Sequence, residues 1–151
     1  MSGFHIVLVE PEIPANTGNI ARLCAATRST LHLIRPLGFR LDDAATRRAG
    51  MDYLDMAVIR EHDSIGECLK DARSIRYLST KASRPYWDAK FRDGDYLVFG
   101  RETKGLPEEL LKGSPDQCFK IPMLEPRARS LNLATAAGIV LYEAIRQLGK
   151  G

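Results

Sequence analysis

Short apolar runs of the kind that form buried β-strands alternate with helix-like segments along nearly the whole chain of 151 residues. The runs rich in β-branched and aromatic residues are 4–9, 31–34, 56–59, 74–80, 95–100 and 118–122. Because strands that alternate with helices favour parallel pairing, the pattern predicts an α/β fold, a mostly parallel sheet flanked by helices. The length suits one domain that covers residues 1–151.

The segments between the runs predict one loop and five helices. Residues 11–18, PEIPANTG, predict a loop because prolines and glycine disfavour regular structure. Helices are predicted for residues 19–30, for 42–50, for 63–72 with Asp63 or Ser64 as the cap, for a short segment opened by Pro107, and from Asn132 onward.

Composition and charge argue against membrane and exported proteins. No apolar run approaches the roughly 18 residues that span a membrane, and the start of the chain lacks the layout of a signal peptide, so a cytoplasmic location is expected. The three cysteines are far apart and odd in number, which predicts reduced thiols. The net charge is only +3, but 15 of the 22 basic residues are arginine, which suits phosphate and permits a polyanionic partner.

Three loops that follow predicted strands carry polar side chains, namely residues 16–22 (NTGNIAR), 100–105 (GRETKG) and 121–132 (IPMLEPRARSLN). In open α/β sheets, ligands bind beyond the carboxyl ends of the strands. GRETKG has the glycine spacing of a phosphate-binding loop, but Leu106 and Pro107 follow where lysine and serine or threonine are needed, which excludes a P-loop ATPase. A glycine at a strand end still lets a ligand approach closely, or simply forms a turn.

Each loop taken alone also has a structural explanation. Asn16, Ser130 and Asn132 are residue types that cap helices, and Arg22, two turns into its helix, is an ordinary solvated side chain. Trp87 and its neighbour Tyr86 lie among basic residues, where they stack on a ribose or base, contact a partner, or are simply surface aromatics.

The spacing of the residues does not support other kinds of metal or catalytic site. The sequence has no CxxC, no HxxxH and no His/Cys cluster, so no zinc site is predicted. No G-x-S-x-G elbow is present, and His5 and His32 fall in strand-like runs where buried imidazoles are expected.

Taken in order, the three loops resemble the motifs of the SpoU-type branch of the SPOUT RNA methyltransferases. N-x-G-x-x-x-R corresponds to residues 16–22, an apolar strand with G-x-E-x-x-G-L to residues 97–106, and I-P-M followed by S-L-N to residues 121–132. The resemblance runs from about residue 6 to the end. The stretches VEPEIPANTGNIARLC, RPLGF, RRAGMDY and LYEAIRQLG are most similar to small bacterial members that methylate the wobble-nucleotide ribose of leucine tRNA.

This resemblance implies a C-terminal trefoil knot, S-adenosylmethionine as methyl donor, and a homodimer with each site near the interface. The implied substrate is the anticodon loop of tRNA, at a cytidine or modified uridine in position 34, with no metal and no membrane partner. By position, the implied donor contacts are Leu78, Gly100, Ile121, Met123, Ser130 and Leu131.

The resemblance nominates Arg22 for the hydroxyl proton, with Asn16 and Asn132 orienting the reactants and Glu102 supporting the site. A guanidinium is normally protonated and accepts no proton. Either phosphate and burial alter Arg22 greatly, or Arg22 stabilises the developing alkoxide while water takes the proton. We favour the second role. The arginines expected to contact RNA phosphates are Arg28, Arg84, Arg127 and Arg129.

Three alternatives stay open. The same chemistry could modify another tRNA position or ribosomal RNA, the chain could be a non-catalytic RNA-binding module, or the acceptor could be a small molecule, which the motifs disfavour.

Overall fold

The structure is a computed structural model that describes residues 3–41, 44, 48 and 56–149. Its strands are β1 (His5–Val9), β2 (Thr30–Ile34), β3 (Val58–His62), β4 (Ile75–Leu78), β5 (Tyr96–Phe99) and β6 (Cys118–Phe119). They form one sheet in the order β3-β2-β1-β5-β4-β6, and all five pairings are parallel. The predicted α/β fold with a mostly parallel sheet is therefore confirmed.

The helices whose bounds fall within the described residues are α1 (Pro14–Thr27), α2 (Ile65–Leu69), α3 (Glu108–Gly113) and α4 (Leu133–Gln147). Single 3₁₀ turns lie at Tyr86–Asp88 and Pro115–Gln117. Most of the helix predicted for residues 42–50 lies outside the described residues. Among those residues, no helix is both long and apolar enough to cross a membrane.

The first helix begins earlier than the sequence predicted. Pro14 occupies its first turn, where a missing N–H costs nothing and the fixed φ of proline suits a helix. The prediction of a loop over residues 11–18 is therefore wrong from Pro14 onward. The helix cap is Ile13, so the prediction that Asn16 caps α1 was also wrong, and the Asn16 side chain is left for other contacts.

Smaller differences concern ends and caps. Strand β3 lies two to three residues further along the chain than predicted, and β6 has two residues instead of five. Beyond β6, Lys120 pairs with Pro85 as a single bridge before Pro122, which has no N–H to donate. Of the two predicted caps of α2, Ser64 is the one used, and its hydroxyl accepts the N–H of Glu67 at 3.1 Å.

The core lies on both faces of the sheet because successive strand residues point to opposite sides. Ile6 and Leu8 of β1 pack in a cluster with α1 and α4, whereas Val7 and Val9 pack in a second cluster that includes residues of α2 and α3. Residues on both faces of β1 are fully buried or nearly so, as expected for a central parallel strand.

All three histidines of the chain form one hydrogen-bonded row across β1, β2 and β3. Nδ1 of His5 lies 2.8 Å from Nε2 of His32, and Nδ1 of His32 lies 2.9 Å from Nε2 of His62. His32 is buried as predicted, whereas His5 is only partly buried. Burial, with the neighbouring charges of His5, His62 and Arg60, lowers the pKa of His32 to about 3.

The sequence predicted no His/Cys cluster, and that prediction was wrong. His32, His62 and Cys68 bring potential ligand atoms within 4.8 Å of one another, although they come from three separate elements. The two imidazoles are already hydrogen-bonded to each other, and burial raises the pKa of the Cys68 thiol to about 12. The three side chains lie where α2 packs against β2 and β3.

A candidate active site at the carboxyl ends of four strands

The three predicted loops line one cavity of about 440 Å³ at the carboxyl ends of β1, β5, β4 and β6. The chain leaves β1 towards β2 on one side and leaves β5 towards β6 on the other, so the cavity lies at the switch point where α/β sheets bind ligands. Its lining comprises Ile13, Asn16, residues 78–81, residues 99–106, Ile121, Met123, residues 129–133 and Ala136.

A row of side-chain hydrogen bonds joins the three loops. Glu102 Oε2 accepts the side-chain amide of Asn16 at 3.1 Å, and Asn16 Oδ1 accepts the side-chain amide of Asn132 at 3.0 Å. Asn132 Oδ1 in turn accepts the main-chain N–H groups of Ala134 and Thr135. Because each amide has both a donor and an acceptor, the row passes from the GRETKG loop through α1 to the start of α4.

Glu102 also compensates for the absence of a side-chain hydrogen bond at Ile13, the cap of α1. Its two carboxylate oxygens accept the main-chain N–H groups of Glu12 at 2.8 Å and Ile13 at 2.9 Å, while Ile13 itself has no side-chain acceptor. A carboxylate at a helix start satisfies unpaired N–H groups and interacts favourably with the helix dipole. The GRETKG loop is therefore fastened to α1 by a charged group from outside the helix.

A second set of contacts fixes the same loop. Glu12 Oε1 accepts the main-chain N–H and the hydroxyl of Thr103 at 3.0 and 2.8 Å, and these bonds lower the pKa of the Glu12 carboxyl. Arg101 pairs with Glu10 at 2.7 Å. The loops after β1 and β5 are thus joined by reciprocal side-chain contacts on each side of Glu102.

A glycine is required at position 100 for steric reasons, which the sequence alone did not decide. The loop folds back so that Gly105 donates its N–H to Arg101 at 2.8 Å, and a Cβ at position 100 would lie 2.0 Å from the carbonyl carbon of Gly105 and 2.2 Å from the nitrogen of Leu106. Only glycine fits there. Gly105 has φ +67°, which glycine adopts without strain.

The cavity combines an apolar wall with polar groups at its ends. Side chains of Leu78, Ile121, Met123 and Leu131 supply apolar surface, while residues 79–81 and 101–104 supply hydroxyl, guanidinium and ammonium groups. Such a lining suits an organic ligand that has one flat or apolar part and one polar, anionic part.

All six residues predicted to contact the donor line this cavity, and so do three of the four residues predicted to take part in catalysis. Arg22 is the exception, because it is exposed on α1 and does not line the cavity of its own chain. Six residues separate Arg22 from Asn16, which is about 9 Å along a helix.

The four arginines predicted to contact RNA lie in different places. Arg129 lines the cavity, and Arg127, on the same loop, pairs with Glu125 and has a 91% exposed side chain. Arg84 lies over the Phe119 ring at 4.6 Å and donates to the main-chain oxygen of Asp116. Arg28 caps the far end of α1, remote from the cavity.

The sequence analysis missed several cavity residues. Ser79, Thr80 and Lys81 directly follow β4, and the rule that ligands bind beyond strand ends would have found them. Ile13 and Arg101 carried no such signal, since the first was assigned to a loop and the second is an unspecified position between two glycines.

Comparison with known proteins gives consistent matches. The model of the SpoU rRNA Methylase family matches residues 3–142. A tRNA (cytidine(34)-2'-O)-methyltransferase of Saccharophagus degradans is 50% identical over 149 residues, covering 97% of this chain and 96% of that protein.

Solved structures agree with the sequence matches. A structure that concerns the 2-OH methylation of C/U34 on tRNA is 47% identical, with a TM-score of 0.92 over 98% of this chain and 97% of the other. An AdoMet-bound rRNA methyltransferase from Sinorhizobium meliloti is 28% identical, with a TM-score of 0.84 over 97% of this chain and 57% of that one.

Proposed function

Because the chain belongs to the SpoU rRNA Methylase family, we propose that it transfers a methyl group from S-adenosylmethionine to the ribose 2′-hydroxyl of nucleotide 34 of tRNA. The wobble cytidine or modified uridine of leucine tRNA is the acceptor. The observation that carries the proposal is the hydrogen-bonded row of Glu102, Asn16 and Asn132, which joins all three family motifs around one cavity. Relatives of nearly equal length, named for this reaction, support it.

The lining of the cavity fits the methyl donor. Leu78, Ile121, Met123 and Leu131 offer an apolar slot for adenine, and Gly100 lines the same cavity. Ser130 offers a hydroxyl in the cavity, two residues before the cap of α4. When bound, S-adenosylmethionine supplies a sulfonium-activated methyl group, so the protein needs only to align the acceptor and assist its proton.

The residues of this chain divide that work. Asn16 and Asn132 orient the reactants through amide groups that are already fixed, and Glu102 supports the site by holding the loop and the start of α1 together. Arg22 stabilises negative charge that develops on the ribose oxygen, while water removes the proton, because a guanidinium accepts none. No step in this scheme requires a metal ion.

The active species is a homodimer in which Arg22 of one protomer reaches the cavity of its partner. This arrangement is supported by the position of Arg22, which is exposed on α1 and outside the cavity of its own chain. Gly138 adds support: glycine costs about 1 kcal/mol relative to alanine inside a helix, yet a Cβ there would meet nothing within 4 Å. Close packing of a partner helix against this face would give the glycine a purpose.

Two further elements of the proposal follow from family membership. The chain is a single methyltransferase domain, and its C-terminal segment, which includes α4, threads a trefoil knot. The loop of residues 121–132 and the cavity would then lie within the knotted part. The protein acts in the cytoplasm, where tRNA is its partner.

The tRNA is held by arginines near the cavity and by one at the far end of α1. Arg127 and Arg129 lie on the loop that borders it, Arg84 lies beside β6, and Arg28 extends the basic surface at the far end of α1. Binding through phosphates releases counterions and therefore weakens steeply as salt rises. An anticodon loop suits the site because its bases are unpaired and accessible.

A map of ribose methylation in RNA from a strain that lacks the gene tests the proposal. We expect loss of the 2′-O-methyl group at nucleotide 34 of leucine tRNA and its return when the gene is restored. Loss at another tRNA position or in ribosomal RNA would support the same chemistry on a different substrate. An unchanged map would favour the non-catalytic RNA-binding module.

A further inference from the structure

Trp87 is the single tryptophan of the chain, and 54% of its surface is exposed. It lies in the 3₁₀ turn Tyr86–Asp88, outside the cavity and its hydrogen-bonded row. Tryptophan is enriched at interfaces with partners, because it combines a large aromatic surface with one polar N–H group. We infer that Trp87 is a stacking platform for an unpaired base of the RNA whose ribose enters the cavity, an inference that rests on the proposed function.

The turn that carries Trp87 is rigidly held. Pro85 pairs with Lys120, the N–H of Tyr86 donates to the Lys120 oxygen at 2.8 Å, and the N–H of Lys120 donates to the Arg84 oxygen at 2.8 Å. The Tyr86 ring packs against the main core cluster, and the Trp87 ring meets it edge-on at 5.2 Å and 67°. A platform fixed in this way loses little conformational entropy when a base stacks on it.

The segment after the turn is anchored as well. Ala89 and Phe91 are buried, and the side chain of Gln147 in α4 bonds to both, accepting the N–H of Phe91 at 2.9 Å and donating to the oxygen of Ala89 at 3.0 Å. Trp87 is therefore the outward-facing ring of an otherwise well-packed segment, so its exposure does not reflect a loose chain.

The position of the turn connects Trp87 with the cavity. Lys120, to which the turn is bonded, directly precedes Ile121, which lines the cavity. The bridge between Pro85 and Lys120 continues the sheet beyond β6, at the same carboxyl-end edge where the cavity lies. A strand of RNA with one ribose in the cavity has neighbouring nucleotides that pass this edge.

The charges around Trp87 favour RNA over an apolar protein partner. Residues 84–92 contain Arg84, Lys90 and Arg92 against a single acidic residue, Asp88. The guanidinium of Arg84 donates to a neutral main-chain oxygen of Asp116, so this contact leaves its positive charge in place. Aromatic rings interleaved with basic groups are the arrangement that binds single-stranded nucleic acid, since bases stack on the rings and phosphates meet the cations.

The first experiment uses the fluorescence of Trp87 in the full-length protein. We expect a synthetic anticodon stem-loop of leucine tRNA to quench this emission in a saturable manner, and an RNA duplex of equal length without unpaired bases to leave it nearly unchanged. Equal quenching by both RNAs would overturn the inference. Emission that depends on protein concentration without RNA would identify a second copy of the chain as the occupant and would also overturn it.

The second experiment measures methyl transfer by Trp87→Ala and Trp87→Phe. Stacking on a base contributes enough that its loss should raise KM for tRNA about 5- to 100-fold, with kcat and donor binding changed less than about twofold. Trp87→Phe should recover most of the loss, which a merely structural role would not predict. Val58→Ala is the matched control, because Val58 is 52% exposed on β3, at the opposite edge of the sheet.

The proposed function and the stacking role of Trp87 can be refuted separately. If wild-type protein methylates no tRNA, the proposed function fails. If wild-type protein methylates nucleotide 34 and Trp87→Ala, folded by circular dichroism, has an unchanged KM, the proposed function stands and the platform is wrong.

Discussion

The side-chain amide of Asn132 donates a hydrogen bond of 3.0 Å to the side-chain oxygen of Asn16, which lies 116 residues earlier in the chain. Asn132 caps α4 and Asn16 lies in the first turn of α1, so this bond joins the starts of two helices that pack together. The starts of the two helices, the cavity and the polar groups inside it therefore form one hydrogen-bonded unit.

Glu102 should be the residue whose loss disturbs that unit most. Glu102→Ala removes a charged acceptor from the N–H groups of Glu12 and Ile13 and from the Asn16 amide. We expect the free energy of unfolding to fall by about 1–3 kcal/mol and donor binding to weaken, as measured by thermal denaturation and calorimetry. Glu109→Ala, an exposed carboxylate in the first turn of α3, is the control. Equal effects of the two substitutions would contradict the role given to Glu102.

Two glycine-to-alanine substitutions should have opposite effects on stability. A Cβ at Gly100 would collide with the main chain of Gly105 and Leu106, so Gly100→Ala should cost about 1–3 kcal/mol and abolish donor binding. A Cβ at Gly66, in α2, meets nothing within 4 Å, so Gly66→Ala should stabilise by up to about 1 kcal/mol. Denaturant unfolding of both variants gives the comparison, and a tolerated Gly100→Ala would show that the turn is not as tight as described.

Stability should fall as the solution is acidified from pH 6.5 towards pH 4.5. The pKa of His32 is lowered to about 3 and that of His5 is also lowered, chiefly by burial, so the unfolded chain binds protons that the folded chain excludes. Each such histidine contributes a loss of up to about 1.4 kcal/mol per pH unit below its unfolded pKa.

Urea unfolding at several pH values measures this slope. In His32→Leu, the slope of the free energy of unfolding against pH should be reduced between pH 6.5 and 4.5. Carboxylates such as Glu12, whose pKa is lowered, change the free energy of unfolding at lower pH. An identical slope in the variant would mean that the row of histidines is not the cause.

Arg22 should act across the subunit boundary. Arg22→Lys and Arg22→Ala should lower kcat about 10²- to 10³-fold, the usual effect of removing a group that stabilises an oxyanion, while the donor binds normally.

When Arg22→Ala and Glu102→Ala chains are co-expressed, mixed dimers contain one site with an intact cavity and an intact Arg22. Activity should then return to about a quarter of the wild-type level for random pairing in a twofold dimer. No recovery would restrict Arg22 to its own chain, and full activity of Arg22→Lys would remove it from the mechanism.

The sequence predicted the strands of the core well because residues such as Ile6, Val7 and Leu8 are buried whichever face they occupy, so a continuous apolar run is enough. It also predicted many residues of the cavity, because Gly100, Ser130 and their neighbours belong to motifs with fixed spacing. The ends of helices were predicted less well. Pro14 indicates a loop unless its place in the first turn of a helix is known.

Contacts between distant segments could not be predicted from one sequence. Asn16 was read as a local cap, but its partners are Glu102 and Asn132, which only the folded sheet brings near. The cluster of His32, His62 and Cys68 escaped notice for the same reason, since its members lie on β2, β3 and α2. Local propensity describes elements, whereas these contacts depend on how the elements are arranged.

The most direct test of the central claim compares two anticodon stem-loops of leucine tRNA that differ in one oxygen atom. One has ribose and the other 2′-deoxyribose at nucleotide 34, and both are incubated with the protein and radiolabelled S-adenosylmethionine. We predict label in the ribose RNA, none in the deoxyribose RNA, and none in either RNA with Glu102→Ala. Label in the deoxyribose RNA would contradict the account. The absence of label from both stem-loops and from full-length leucine tRNA, with the wild-type protein, would contradict it as well.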